Sequence, residues 1–135
     1  MAQGTPNFAI TPVFGAAQVQ TASASRTAPT NTATVVSAAS SGDRIERIVV
    51  TPTGSMIAGV VSLYHFNGTT YYLYAEINIP AFTASTTVAQ PTFTLEAVTT
   101  PNLMPLIPPS GVSLVATVSV SQPSPINVVA IGGAF

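Results

Sequence analysis

The sequence predicts an all-β fold, an antiparallel β-sandwich with a jelly-roll of about eight strands. Three observations predict it. Twelve prolines and nine glycines interrupt the 135 residues at short intervals. Between them lie short runs rich in Val, Ile, Thr, Tyr and Phe, which favour strands. Helix signals are nearly absent, and no segment repeats at a fixed period.

The N-terminal part predicts an arm and three strands. Residues 1–12 hold two prolines and no clear alternation, so we expect an extended arm outside a single domain over residues 13–135. The order of elements that follows is a strand at 13–21, a polar loop at 23–32, a strand at 33–39, a turn at 40–43 and a strand at 44–53.

The strand at 44–53 mixes polar and apolar residues on both of its faces. Strict alternation sets Ile45 with Arg47, and Glu46 with Ile48. Four of the seven charged residues lie between Asp43 and Arg47. We expect a local ion-pair set at a strand edge, where charge blocks unwanted strand addition, rather than a contact to a partner.

The clearest element is a hairpin with strands at 56–66 and 70–79 around Asn67-Gly68, a dipeptide typical of the type I′ turn. Alternation divides its side chains between two faces. The predicted core face holds Tyr71, Leu73, Ala75, Ile77 and Ile79 with Met56, Ala58, Val60, Tyr64 and Phe66. The predicted outer face holds Ile57, Val61, Leu63, His65, Tyr72, Tyr74 and Glu76.

Apolar residues on that outer face predict a protein–protein interface made of Val61, Leu63, Tyr72 and Tyr74. Tyrosine suits an interface because it joins a large apolar ring to a hydroxyl and loses little rotamer entropy. Two alternatives stay open. Antiparallel sheets often carry tyrosines on a wet face, and another loop of the chain, such as residues 100–111, would also cover them.

The C-terminal part predicts three more strands, at 92–98, 112–120 and 126–135. The proline-rich stretch 100–111 is expected to be an extended loop or edge. The last strand, "INVVAIGGAF", is apolar on both faces, so we expect it to be central in a sheet.

Charge is scarce: 5% of the residues are charged, there is no lysine, and the net charge is -1. Average globular proteins have about 25% charged residues. Three arginines beside four acids do not make a phosphate-binding surface, so we expect no direct nucleic-acid binding. No apolar run approaches the roughly 20 residues that span a bilayer, so we expect no membrane partner. Low charge favours a chain packed against other protein, or a stable β-protein kept soluble by Ser, Thr, Asn and Gln.

Catalytic chemistry has little material here. The chain holds one histidine, His65, and one aspartate, Asp43, and a Ser-His-Asp constellation would need both. Asp43 and Glu46 are the only acidic pair close in sequence, and Arg44 and Arg47 flank them. There is no cysteine and no glycine-rich phosphate loop before a helix. We therefore expect no catalytic residue, no metal-binding residue, no cofactor and no enzyme activity.

Four segments carry a resemblance to a known group of proteins: "SGDRIERIVVTPTG", "AGVVSLYHFNGTTYYLYAEINIPA", "PLIPPSGVSLVATVS" and "INVVAIGGAF". Together they resemble the jelly-roll cement (decoration) proteins of tailed-phage heads, over residues 40–135. The resemblance implies a virion protein on the outer surface of the head, made in the host cytoplasm. It implies that the protein clamps neighbouring major capsid subunits and assembles as a homodimer or homotrimer. The alternative is a carbohydrate- or receptor-binding module of a phage tail or fibre.

Overall fold

The computed structural model describes residues 11–40, 42–96 and 109–134, and this part of the chain is all-β. Eight strands form two four-stranded antiparallel sheets that pack as a β-sandwich, which confirms the predicted fold class. The strands are β1 (Thr11–Val19), β2 (Ala33–Val36), β3 (Asp43–Pro52), β4 (Gly59–Phe66), β5 (Tyr71–Ile79), β6 (Phe93–Glu96), β7 (Ser113–Val118) and β8 (Ile126–Ala134).

The first sheet has the order β1-β8-β3-β6 and the second sheet has the order β2-β7-β4-β5. Only β4 and β5 are joined within one sheet, and every other connection crosses to the opposite sheet. β1 pairs with β8, β2 with β7, β3 with β6 and β4 with β5, as when a long hairpin is rolled into two layers. This order is compatible with the predicted jelly roll. β8 lies between β1 and β3, so the prediction of a central last strand is confirmed.

The core lies between the two sheets and consists of branched aliphatic side chains. Strands β3, β4, β7 and β8 contribute most of it: Ile45, Ile48, Val50, Val61, Leu63, Leu114, Ala116, Val118, Ile126, Val128 and Ala130. The sandwich is tightest where β1 crosses β2, because a side chain at Gly15 would overlap the backbone carbonyl of Val35. Glycine therefore allows the two backbones to approach there.

A β-bulge at Glu46 resolves the mixed faces of β3. The pairing with β8 shifts between Ile45 and Arg47, so Glu46 is the extra residue. Ile45 and Ile48 consequently share the core face, although strict alternation separates them. Among the described residues, β6 pairs with β3 from Arg47 to Val50. The expected ion pair is confirmed for Arg44 and Glu46, with Arg44 Nε 2.7 Å from Glu46 Oε1, whereas Asp43 is buried.

A second bulge, at Tyr74, overturns part of the predicted hairpin faces. The pairing shifts between Leu63, which lies opposite Ala75, and Tyr64, which lies opposite Leu73. One extra residue exchanges the faces of a strand relative to its partner. Ala75, Ile77 and Ile79 pack against or within the core as predicted. Tyr71 and Leu73 lie beyond the bulge and leave that face.

The same bulge explains why the prediction for Val61 and Leu63 is wrong. Val61 pairs with Ile77 and Leu63 with Ala75, so both side chains share the core face of β5. Both are fully buried, not on an outer face. Tyr64 takes the opposite face, with Ser62, because β4 pairs with β7 without a register shift and its side chains therefore alternate.

The hairpin turn is longer than the predicted two-residue turn. Phe66 pairs with Tyr71, and the Asn67 amide donates to the Thr70 carbonyl at 3.3 Å. The Asn67 side-chain oxygen accepts from the amides of Thr69 and Thr70, at 3.0 and 2.7 Å. Gly68 has a φ of 94° and Asn67 has no positive φ, so the type I′ prediction is wrong. The Asn67 side chain stabilises a different turn by bonding its own backbone.

The predicted arm, residues 1–12, lies outside the described residues as far as residue 10. Thr11 and Pro12 belong to β1, where they pair with Ala134 and Gly133. The domain therefore begins at least two residues before the predicted boundary. Of the proline-rich stretch 100–111, residues 100–108 lie outside the described part.

Candidate functional site

One face of the second sheet is covered by the loop at 20–32, between β1 and β2. Arg26 on this loop donates from Nε to Glu76 Oε2 of β5 at 2.9 Å. Ser62 Oγ of β4 donates to the same carboxylate oxygen at 2.9 Å. The Arg26 hydrogen bond, with help from Ser62, lowers the pKa of Glu76 below its usual value. The loop thus buries polar residues of the sheet, among them Ser62 and Thr117.

A small cleft of about 100 Å³ lies under this loop. Its lining is rich in hydroxyl groups and includes Ser23, Ser25, Ser62, Tyr64, Thr117 and Ser119. Ligand pockets usually measure about 300–1,000 Å³, and one water occupies about 30 Å³. The cleft therefore has room for a few waters among polar groups. These groups are suited to holding the loop on the sheet by hydrogen bonds.

The end of the β4–β5 hairpin carries the first exposed apolar side chains. We call it the hairpin tip and define it by Tyr72 and Leu73. Tyr72 is 55% exposed and Leu73 is 43% exposed. Tyr71 beside them is half-buried because its ring stacks on Phe66, with centroids 4.1 Å apart. One aromatic and one aliphatic side chain are thus exposed at this end of the sheet, on opposite faces of β5 because the two residues are consecutive in the strand.

Tyr74 behaves differently from Tyr72. Its side chain is half-buried and packs against the core, and burial raises the pKa of its hydroxyl. Its ring stacks on His65, with centroids 5.3 Å apart and an angle of 17° between the planes. Of the four predicted interface residues, only Tyr72 is largely exposed. The structure therefore does not bring Val61, Leu63, Tyr72 and Tyr74 together on one surface.

His65 and Asp43 lie in different sheets, on β4 and β3. The His65 Nε2 atom is buried and has no hydrogen-bond partner in the described part of the chain, and burial lowers the pKa of the ring. Burial raises the pKa of the Asp43 carboxyl. Within residues 11–40, 42–96 and 109–134, no three His, Asp or Glu side chains cluster in a way that would hold a metal ion.

A second exposed apolar surface lies on the first sheet, and the sequence analysis missed it. We call it the first-sheet face and define it by Phe14, Ala16, Val49, Val129 and Ile131. Phe14 is 73% exposed and Ile131 is 44% exposed, and they are direct partners in the β1–β8 pairing. Ala16 pairs with Val129, and Val129 pairs with Val49. The signal for this face was present, because a last strand that is apolar on both faces needs cover on both.

The first-sheet face has polar limits at both ends. At one end Gln18 Nε2 donates to Asn127 Oδ1 at 2.8 Å, so these two amides satisfy each other in part. At the other end Arg47 pairs with Ile131 across β3 and β8. The centre is free of charge in the described residues. Such a surface is suited to contact with protein rather than to binding an ion.

No protein-family model, no curated protein sequence and no solved structure matched the chain when compared with it. Among the described residues there is no helix of the length and apolar character that crossing a membrane requires.

Proposed function

We propose that this chain is a structural virion protein that binds the outside of a phage head and stabilises the capsid by clamping neighbouring major capsid subunits. One observation carries the proposal. Among the described residues, apolar side chains are exposed at two separate places, the hairpin tip on the second sheet and the first-sheet face on the other. A protein that holds two neighbours together needs two contact surfaces, and opposite layers of a sandwich provide them.

The scarcity of charge supports the same proposal. Seven charged residues in 135 leave little electrostatic repulsion against close packing. Burying apolar surface stabilises a contact by roughly 25 cal/mol per Å². Each copy therefore contributes modestly, and many copies on one shell act together. The partner is the major capsid protein, and the location is the outer surface of the head after synthesis in the host cytoplasm.

A second candidate is a carbohydrate- or receptor-binding module of a phage tail or fibre. A shallow groove between the loop at 20–32 and the hairpin turn favours it. Four threonines, Ala28, Pro29 and Tyr71 line this groove, with the threonines at positions 27, 30, 69 and 70. Hydroxyl groups beside an aromatic ring are suited to a sugar.

The test is to locate the protein on the particles of the virus that encodes it. Cryo-electron microscopy is expected to show many copies over the head, in contact with capsid subunits. Particles without the protein are expected to release their DNA at a lower temperature and to recover when purified protein is added. Few copies at the tail, or no change in heat resistance, would contradict the proposal and favour the second candidate.

A further inference from the structure

We propose that the free edge of β5 binds an extended, uncharged segment of the major capsid protein, which adds to the second sheet as a further strand. The inference deepens the proposed function and rests on it for the source of the segment. It states what the hairpin tip contacts and through which backbone atoms.

The two sheets end in four edge strands, and in the described part of the chain β5 is the one that is both long and open. β2 and β6 have four residues each. β1 has nine residues, but it approaches β2 so closely at Gly15 that a side-chain carbon there would overlap the Val35 carbonyl. β5 also has nine residues and pairs with β4 alone among the described strands. Unpaired backbone groups along such an edge are a template for another strand.

The hydrogen-bond pattern shows which residues of β5 direct their backbone groups to this edge. The Val60 carbonyl accepts from the amide that follows β7, so the odd-numbered residues of β4 bond to β5 instead. One of them is His65, which pairs with Tyr72. The residues on either side of Tyr72 therefore point away from β4. Tyr71 and Leu73 thus present their N–H and C=O groups to a neighbouring segment.

The exposed side chains at this end of β5 favour a strand over a flat partner. Tyr72 is 55% exposed and Leu73 is 43% exposed, and they lie on opposite faces of the sheet. A rigid surface placed on one face contacts only one of them. A strand added at the edge lies beside both, because its own side chains alternate between the two faces.

The charge and the twist of the edge indicate the chemistry of the segment. The edge is free of charge from Tyr71 to Ala75, and Glu76, which follows, is bonded to Arg26. An uncharged segment therefore pairs here without leaving a charge beside apolar side chains. The bulge at Tyr74 increases the local twist, so the flat sheet edge of another folded domain does not match β5. A single extended segment follows the twist and leaves no such mismatch.

Hydrogen exchange tests the backbone contact directly. Mass spectrometry with residue-level fragmentation compares the free chain with the same chain bound to capsids. The amides of Tyr71 and Leu73 should exchange quickly in the free chain and about tenfold or more slowly on the capsid, because they become bonded there. The Tyr72 amide is the internal control, since it bonds to β4 in both states and should change little.

A charge on the edge tests the side-chain contact. Leu73→Lys should lower capsid occupancy about tenfold or more, because lysine on an edge strand blocks strand addition. Ile57→Lys is the matched control, since Ile57 is also an exposed aliphatic residue, at 52%, and lies outside β5; it should bind like the wild type. Both variants should keep the thermal unfolding of the wild type.

The failure of this inference differs from the failure of the proposed function. A chain that decorates heads while Tyr71 and Leu73 exchange at the free rate overturns the inference and leaves the proposed function standing. Wild-type occupancy for Leu73→Lys does the same. A chain that binds no capsid at all overturns both.

Discussion

Arg26 and Glu76 are 50 positions apart in the sequence and form an ion pair, with Arg26 Nε 2.9 Å from Glu76 Oε2. The pair fastens the loop at 20–32 to the edge strand β5. Glu76 also accepts from Ser62, so one carboxylate joins a loop and two strands.

Glu76→Gln should therefore destabilise the sandwich slightly near neutral pH, by no more than about 5 °C in Tm, since the pair is partly exposed. The folded state lowers the pKa of Glu76. Its stabilisation is thus complete above the ordinary glutamate pKa and is lost as the pH falls through the lowered value. Thermal unfolding followed by circular dichroism at neutral and acid pH should show the difference between variant and wild type disappear in acid.

The matched control for this change is Glu46→Gln. Glu46 pairs with Arg44, two positions away on the same strand, so it holds no separate segments together. Its effect should be smaller at neutral pH. If Glu76→Gln lowers the Tm as much in acid as at neutral pH, the charge of Glu76 is not what holds the loop on the sheet.

Gly15→Ala should destabilise the fold by roughly 1–3 kcal/mol, because the added carbon overlaps the Val35 carbonyl where β1 crosses β2. Gly59→Ala is the control, since the nearest atom to its added carbon is the Ser119 hydroxyl at 3.3 Å, a much milder contact than the one at Gly15. Urea unfolding of the two variants measures the difference. Equal stabilities would mean that the sheets have room to separate at Gly15.

Leu63→Ala should lower the free energy of unfolding by about 2–4 kcal/mol, since Leu63 is fully buried in the core. Leu73→Ala, the same change on the paired strand, should cost less than about 1 kcal/mol because Leu73 is 43% exposed. Urea unfolding distinguishes them. A larger loss of stability for Leu73→Ala than for Leu63→Ala would place Leu63 on the outer face, as strict alternation predicts.

Tyr74→Ser should reduce stability by roughly 1–3 kcal/mol, because Tyr74 packs against the core and stacks on His65. Tyr72→Ser should change stability by less than about 0.5 kcal/mol and, on the proposed function, should reduce occupancy on particles. Thermal unfolding and quantitative particle binding give the two readouts. If Tyr72→Ser binds particles at wild-type occupancy, the hairpin tip is not part of the contact with the capsid.

Local patterns in the sequence were enough to predict the strands, the hairpin and the central position of β8. Turn residues and runs of β-branched residues favour a local backbone conformation over a few positions, so their effect can be predicted without knowing the fold. The apolar character of both faces of "INVVAIGGAF" indicated that neighbours lie on both sides of it. Ala75, Ile77 and Ile79 were also assigned correctly, since alternation holds for them.

Single-residue bulges set the limit of that reasoning. Glu46 and Tyr74 each add one residue to a pairing, and each moves neighbouring side chains to the other face. No turn signal marks either position. Strict alternation takes no account of the bulge at Tyr74, so it places Val61 and Leu63 on the outer face, although both are aliphatic residues typical of a core.

The sequence by itself determined an all-β chain, poor in charge, with a strong hairpin and a central last strand. Only the tertiary structure decided which faces are covered: the loop at 20–32 lies over Tyr64, while the described residues leave Phe14 and Ile131 exposed. The physical reason is range. Strand formation depends on neighbours along the chain, whereas register and burial depend on which distant segments pack against a face, and one inserted residue is enough to exchange them.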